Sequence, residues 1–200
     1  MDLFLLENNN TNLRHWVRFI IFTIILSLIV GFFSVVSDNL PYIDNSITVT
    51  QFLISYIAVM INSLPMWFIF TTIIGYIFGR TGKEAVLVGP VFTIFAISFY
   101  FLLGNFYLNA HITFTFKEQI SIFVIWYSAS LAGGIIGGLT GYLVKTRPYI
   151  LLIIPAGLIL QLLINGTRSW NDIIGISQNI TFCLMILFIL FYLLMTRAKK

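Results

Sequence analysis

Apolar residues run along this chain in long unbroken blocks. The stretches Ile20 to Val36 and Ile180 to Met195 hold no charged residue and show no two-residue alternation. A transmembrane barrel would alternate apolar and polar positions over about 10 residues per crossing. A helix crossing a hydrocarbon core of about 30 Å instead needs about 20 mainly apolar residues in a row. The blocks therefore predict an all-α polytopic membrane protein, a bundle of six transmembrane helices at about 16–37, 52–79, 85–108, 120–144, 148–165 and 177–196. On this reading residues 1–200 form a single integral membrane domain. The first block follows Arg14, His15 and Arg18, as a signal peptide's apolar region follows its basic start. It is longer than such a region and no small-x-small cleavage pattern follows it, so it reads as a retained span.

The polar residues between the blocks set an expected orientation. Arg14 and Arg18 precede the first block, Arg80 and Lys83 follow the second, Lys145 and Arg147 follow the fourth, and Arg197, Lys199 and Lys200 follow the sixth. These are nine of the eleven Lys and Arg residues, and all fall on one side of a six-span chain. The other side receives Lys117 and Arg168 with Asp38, Asp44, Glu118 and Asp172. Short basic connectors stay in the cytoplasm, so both termini are expected there, in the inner or plasma membrane of the cell. The opposite loops, Asp38 to Gln51, Asn109 to Gln119 and Gly166 to Ile176, carry Tyr42, His111 and Trp170.

Composition agrees with the blocks. Hydrophobic residues make up 59% of the chain and charged residues 9%, against about 25% charged in a soluble domain. Too little charge remains to cover a water-soluble globule. The net charge of +4 is spread over four membrane-flanking segments, which favours anionic lipid headgroups as its counterpart and excludes a nucleic-acid surface. The lone Cys183 cannot close an internal disulfide or build a metal cluster.

No Asp, Glu, Lys, Arg or His falls in the middle of a predicted span. Pumps, proton-coupled carriers and intramembrane proteases place such groups at depth because the chemistry needs them there. There is no HExxH motif and no pair of aspartates, so the chain reads as non-catalytic, with no metal and no cofactor. His111 near Glu118 reads as a solvated loop residue, because neither a nucleophile nor a ligand set accompanies it. The sequons at Asn165 and Asn179 read as chance matches.

Small residues give the clearest motif. Gly133, Gly137 and Gly141 recur every fourth position in the fourth span, and Ser130, Gly134 and Gly138 repeat that spacing beside them. Residues four apart share a helix face, so two flat strips invite close approach by another backbone. That neighbour is expected to be a helix of the same chain, another membrane subunit or a second copy.

The second span contains Asn62-Ser63-Leu64-Pro65, where a mid-helix proline should kink the helix and free backbone groups for Asn62 and Ser63. Gln161 is the other amide placed well inside a span. Asn62, Ser63 and Gln161, with Thr71, Thr72, Thr93, Ser128 and Ser130, suggest either a midplane pocket for a neutral solute or a set of interhelical hydrogen bonds.

In its size, six spans and cytoplasmic ends the chain is similar to the substrate-capture subunits of energy-coupling-factor vitamin transporters. That resemblance implies a solute-binding subunit driven by a separate ATPase. Those subunits commonly carry an Ala-x-x-x-Ala strip in the first helix for docking their partner; here Thr23, Ser27 and Gly31 occupy that spacing. The expected function is a non-catalytic, transport-related subunit without its own energy source. The alternatives are an accessory, scaffold or immunity-type membrane protein and, behind it, an interfacial membrane enzyme.

Overall fold

The computed structural model describes residues 2–40, 47–107 and 116–198. Their regular elements are the helices α1 (Asp2–Asp38), α2 (Val49–Asn62), α3 (Leu64–Phe78), α4 (Gly82–Tyr107), α5 (Phe116–Val144), α6 (Ile153–Asn165) and α7 (Ile173–Ala198). Short 3-10 turns at Pro148–Leu152 and Thr167–Trp170 lead into α6 and α7. Five segments are each long and apolar enough to cross a membrane, and α2 with α3 supplies a sixth crossing if the bent pair counts as one. Outward-facing Leu87, Leu163 and Phe188 are exposed, as suits a protein whose solvent is lipid. The protein is an all-helical membrane bundle.

Several helices outrun the apolar blocks that predicted them. α1 begins at Asp2, α5 at Phe116 and α7 at Ile173, because a helix continues into polar sequence beyond the part that lipid requires to be apolar.

The second span differs in kind. Its helix does not kink but stops and restarts, with α2 and α3 bent by 67°. Inside a continuous helix the Pro65 ring would collide with the carbonyl four residues back. Ser63 instead turns extended, at φ −72° and ψ 142°, which moves Pro65 into the first turn of α3, where a missing N–H costs nothing. The break frees carbonyls, and side chains take them up. The Ser63 N–H and hydroxyl both donate to the Met60 carbonyl, while the Gln178 amide of α7 donates to the Val59 carbonyl at 3.2 Å. The 15 residues of α3 rise about 22 Å, less than the hydrocarbon thickness of about 30 Å.

The remaining helices pack in consistent directions. α1 runs parallel to α4: Ser27 donates to the Phe92 carbonyl, Gly31 lies against Ala96, Phe99 and Tyr100, and Val35 lies near Gly104. The first-helix strip of Thr23, Ser27 and Gly31 is thus buried within the bundle. α5 lies antiparallel to α4 and parallel to α3. One apolar core joins Phe19, Val30, Ile74, Phe78, Val88, Phe92 and Ala96; a second joins Met60, Ile154, Leu158 and Phe182.

One end of the bundle is tied by the basic connectors. Arg80 donates to Asn12 at 2.7 Å, the His15 ring meets the Phe78 carbonyl at 3.1 Å, and Lys145 donates to the Gly79 carbonyl at 2.7 Å. A cation at the C-terminal end of α3 also suits the helix dipole.

Candidate functional site

The site is framed by what the glycine strip does and where it stops. Along its last turns α5 is wedged between α3 and α4. A Cβ on Gly138 would strike the Ala85 carbonyl, one on Gly134 would meet the Pro90 backbone, and one on Gly141 would strike the Thr72 carbonyl. Gly137 rests against the Thr71 side chain. α3 and α4 answer with Gly75 and Gly89, whose own Cβ positions fall on the Gly138 and Gly134 carbonyls.

Gly133 breaks this pattern, having nothing within 4 Å of its Cβ position. From there toward the start of α5 the helices part and enclose a cavity of about 440 Å³. Trp126, Ala129, Ser130 and Gly133 of α5 form one wall, and Leu64, Trp67, Phe68 and Thr71 of α3 the opposite one. Thr93, Ile97 and Tyr100 of α4 supply a third side, and Asp38 and Asn62 close the end. The wall is mostly apolar and aromatic with a few placed polar groups, as small-molecule sites are.

Those polar groups are organised. Asn62 Nδ2 donates to Asp38 Oδ1 at 2.9 Å, and the Tyr100 hydroxyl donates to Asp38 Oδ2 at 2.7 Å. One helix end and one helix break, the C-terminus of α1 and the α2–α3 junction, meet in this cluster beside Tyr100 of α4. Deeper in, Thr93 Oγ1 donates to the Ser130 carbonyl at 2.7 Å and Thr71 Oγ1 to the Trp67 carbonyl at 2.7 Å.

Of the polar residues singled out in the sequence, Asn62, Thr71, Thr93 and Ser130 line the cavity. Ser63 is buried and turned back onto α2, where it bonds Met60. Thr72 is buried against Gly141, and Ser128 lies on an exposed face. Gln161 belongs to a separate network. It donates to Asn165 at 2.7 Å, Asn165 donates to Asn179, and the fully buried Asn179 donates to Ser169. This chain of amides ties α6 to α7 and draws both sequon asparagines into packing. The His111 and Tyr42 positions lie outside the described residues.

Asp38, Trp67, Tyr100 and Trp126 line the cavity although the sequence did not single them out. The available signal was weak: Asp38 is the one acidic residue that directly ends a predicted span on the side with few cations.

A second groove of about 410 Å³ lies between α3, α6 and α7, lined by Ile69, Ile154, Leu184, Met185, Phe188, Ile189 and Thr181. The Thr181 hydroxyl is engaged with Tyr56 and the Ser177 carbonyl. Nothing in that groove orients a polar solute, and its chemistry suits acyl chains. Among the described residues no three His, Cys, Asp or Glu side chains gather into a metal site.

No protein family matches the chain, and neither a curated protein nor a solved structure matches it. The reading of function therefore rests on the cavity itself.

Proposed function

We propose that the chain is a membrane-embedded solute-binding or permease component whose energy comes from a separate subunit. The cavity between α1, α3, α4 and α5 carries this reading, because it joins an aromatic wall to one oriented polar cluster, Asp38 with Asn62 and Tyr100. An aromatic wall holds the body of a small molecule by burial, and a fixed polar cluster sets which end enters first. The competing reading, an accessory or immunity-type scaffold, would be favoured by a glycine strip exposed to a partner. Gly134, Gly137, Gly138 and Gly141 face α3 and α4 of the same chain, so that strip lends it no support.

The proposal includes an orientation in the cell membrane. With the basic connectors in the cytoplasm, both termini are cytoplasmic and the Asp38 end of the cavity faces outward. Contacts of Arg80 with Asn12 and of Lys145 with Gly79 support this by gathering three of those connectors at one end.

The test compares the wild-type protein with Gly133→Leu, since Gly133 borders the cavity and meets open space. Leucine there fills the site without touching the packed half of α5. Native mass spectrometry after purification in a mild maltoside detergent should find a small non-lipid molecule retained by the wild type and lost from the variant. Equal occupancy of both proteins, or an empty wild type that takes up nothing from a metabolite extract, would reject the reading.

A further inference from the structure

Among the described residues, the cavity lining has one carboxylate and no cationic side chain. Asp38 stands at the end of α1, and its two oxygens each accept one hydrogen bond, from Asn62 and from Tyr100. These bonds fix the plane of the carboxylate without neutralising it, and an ionised carboxylate has about four acceptor positions, so two are left over. Trp67, Phe68, Tyr100 and Trp126 surround the same space. Aromatic faces present negative potential to a cation, indole most strongly, and Arg and quaternary ammonium groups are bound in this way.

The rest of the lining points the same way. Thr71 and Thr93 spend their hydroxyl protons on the Trp67 and Ser130 carbonyls. The hydroxyl of Tyr100 and one N–H of the Asn62 amide are directed at Asp38. Four side-chain donors of the cavity are thus turned onto the protein, while acceptor capacity remains at Asp38; the other donors among the described lining residues are neutral, the Ser130 hydroxyl and the indole N–H groups of Trp67 and Trp126. An anionic solute would meet a carboxylate and π faces, with only neutral donors and no cationic side chain among the described lining residues to offset them. A cation would meet complementary charge at one end and complementary quadrupoles along the walls.

We propose that the solute is an organic cation, a small ammonium compound whose charged head sits between Asp38 and the indoles of Trp67 and Trp126 and whose apolar body extends toward Gly133. This rests on the solute-binding reading and deepens it by naming the ligand class. An ammonium is carried both by free amines and by ethanolamine headgroups of lipid, and the two sources are separable by competition.

The experiment follows tryptophan fluorescence of the full chain in dodecyl maltoside micelles during titration. Three probes share one shape: benzyltrimethylammonium, its uncharged carbon isostere neopentylbenzene, and the anion benzylsulfonate. The cation should bind at least about tenfold more tightly than the isostere, the range expected from a carboxylate and aromatic faces together, and the anion should not bind. Asp38→Asn should remove most of that preference while leaving neopentylbenzene binding in place, which also certifies that the variant is folded. Trp126→Leu should weaken the cation more than the isostere. Added phosphatidylethanolamine should compete if the natural occupant is a headgroup and leave the titration unchanged if it is a free amine. Equal binding of cation and isostere, binding of the anion, a preference that survives Asp38→Asn, or no binding of any probe would overturn the cation assignment. The solute-binding reading fails separately, on an empty cavity in the mass-spectrometric comparison with Gly133→Leu.

Discussion

The two halves of α5 meet the same neighbours on different terms. From Gly134 to Gly141 its backbone lies against the backbones of α3 and α4, with glycines on all three helices where they touch. From Trp126 to Gly133 the same three helices stand apart around a cavity of about 440 Å³. Nothing about helix formation differs between the halves, since α5 is continuous from Phe116 to Val144. The difference lies in side-chain size. Where glycine faces glycine, association gains close dispersion contact, the main attraction left between helices once lipid has removed the hydrophobic drive. Where Trp67, Phe68, Tyr100 and Trp126 replace the small residues, the backbones cannot close, and the large side chains border the gap instead of filling it.

The most direct way to break this comparison is to add one carbon to each half. Gly75→Ala or Gly138→Ala forces a Cβ onto backbone atoms that no rotamer change can move, the Gly138 and Ala85 carbonyls respectively. Overpacking of that kind costs about 2–3 kcal/mol. Gly133→Ala meets nothing within 4 Å and should change stability by less than about 1 kcal/mol, in the stabilising direction, because alanine is the better helix former. Thermal unfolding in maltoside micelles measures all three. If Gly75→Ala melts with Gly133→Ala, the packed half is not packed as described.

A smaller effect is expected at the break that lets α2 swing away from α3. Gln178 is buried and its amide serves the Val59 carbonyl, which has lost its own helical partner because the Ser63 N–H turns to Met60. Gln178→Leu leaves that carbonyl unsatisfied in an apolar setting, at a cost of about 1–2 kcal/mol. The variant should also alter the α2–α3 bend, read as a changed distance between spin labels at residues 54 and 77 on a background lacking Cys183. An unchanged distance together with an unchanged melting point would show that Gln178 is incidental to the break.

The same contrast explains what could be read in advance. Six apolar blocks and their helical character follow from length alone, because lipid permits no other way to satisfy the backbone of a run such as Ile180 to Met195. The glycine strip was equally legible as small residues four apart. Its neighbours were harder to read, because Gly75 has only Gly79 at that spacing and Gly89 has no glycine four residues away. Asn62-Ser63-Leu64-Pro65 announced an irregularity, yet a kink and a full break share that sequence, and what accompanies the break is Gln178, 119 residues away from its Val59 partner. Asn62 and Gln161 looked like partners because both are amides inside spans. They lie in different networks, since depth in the membrane says nothing about which helices adjoin. Asp38 passed as an ordinary loop charge, for the cavity beside it is assembled from helices that come later in the chain.

The smallest expected effect sits on the boundary between the two halves. Thr93 lines the cavity and also lies against Gly134, and its hydroxyl donates to the Ser130 carbonyl across the α4–α5 interface at 2.7 Å. Thr93→Val keeps the branched shape and removes the hydroxyl, with its bond to Ser130 and its longer contacts to the Gly89 and Pro90 carbonyls of its own helix. The Ser130 carbonyl stays satisfied within α5, where the helical pattern pairs it with the N–H of Gly134, so no buried acceptor is orphaned. Interhelical hydrogen bonds in membranes average about 0.6 kcal/mol, and the variant should lose about that much in thermal or denaturant unfolding. A loss several times larger would mean that the polar bond, and not glycine contact, sets where α4 and α5 begin to part. Helix separation in this bundle would then be governed by polar side chains lining the gap, and the packed half would owe its closeness to its neighbour's hydrogen bond as much as to its own missing side chains.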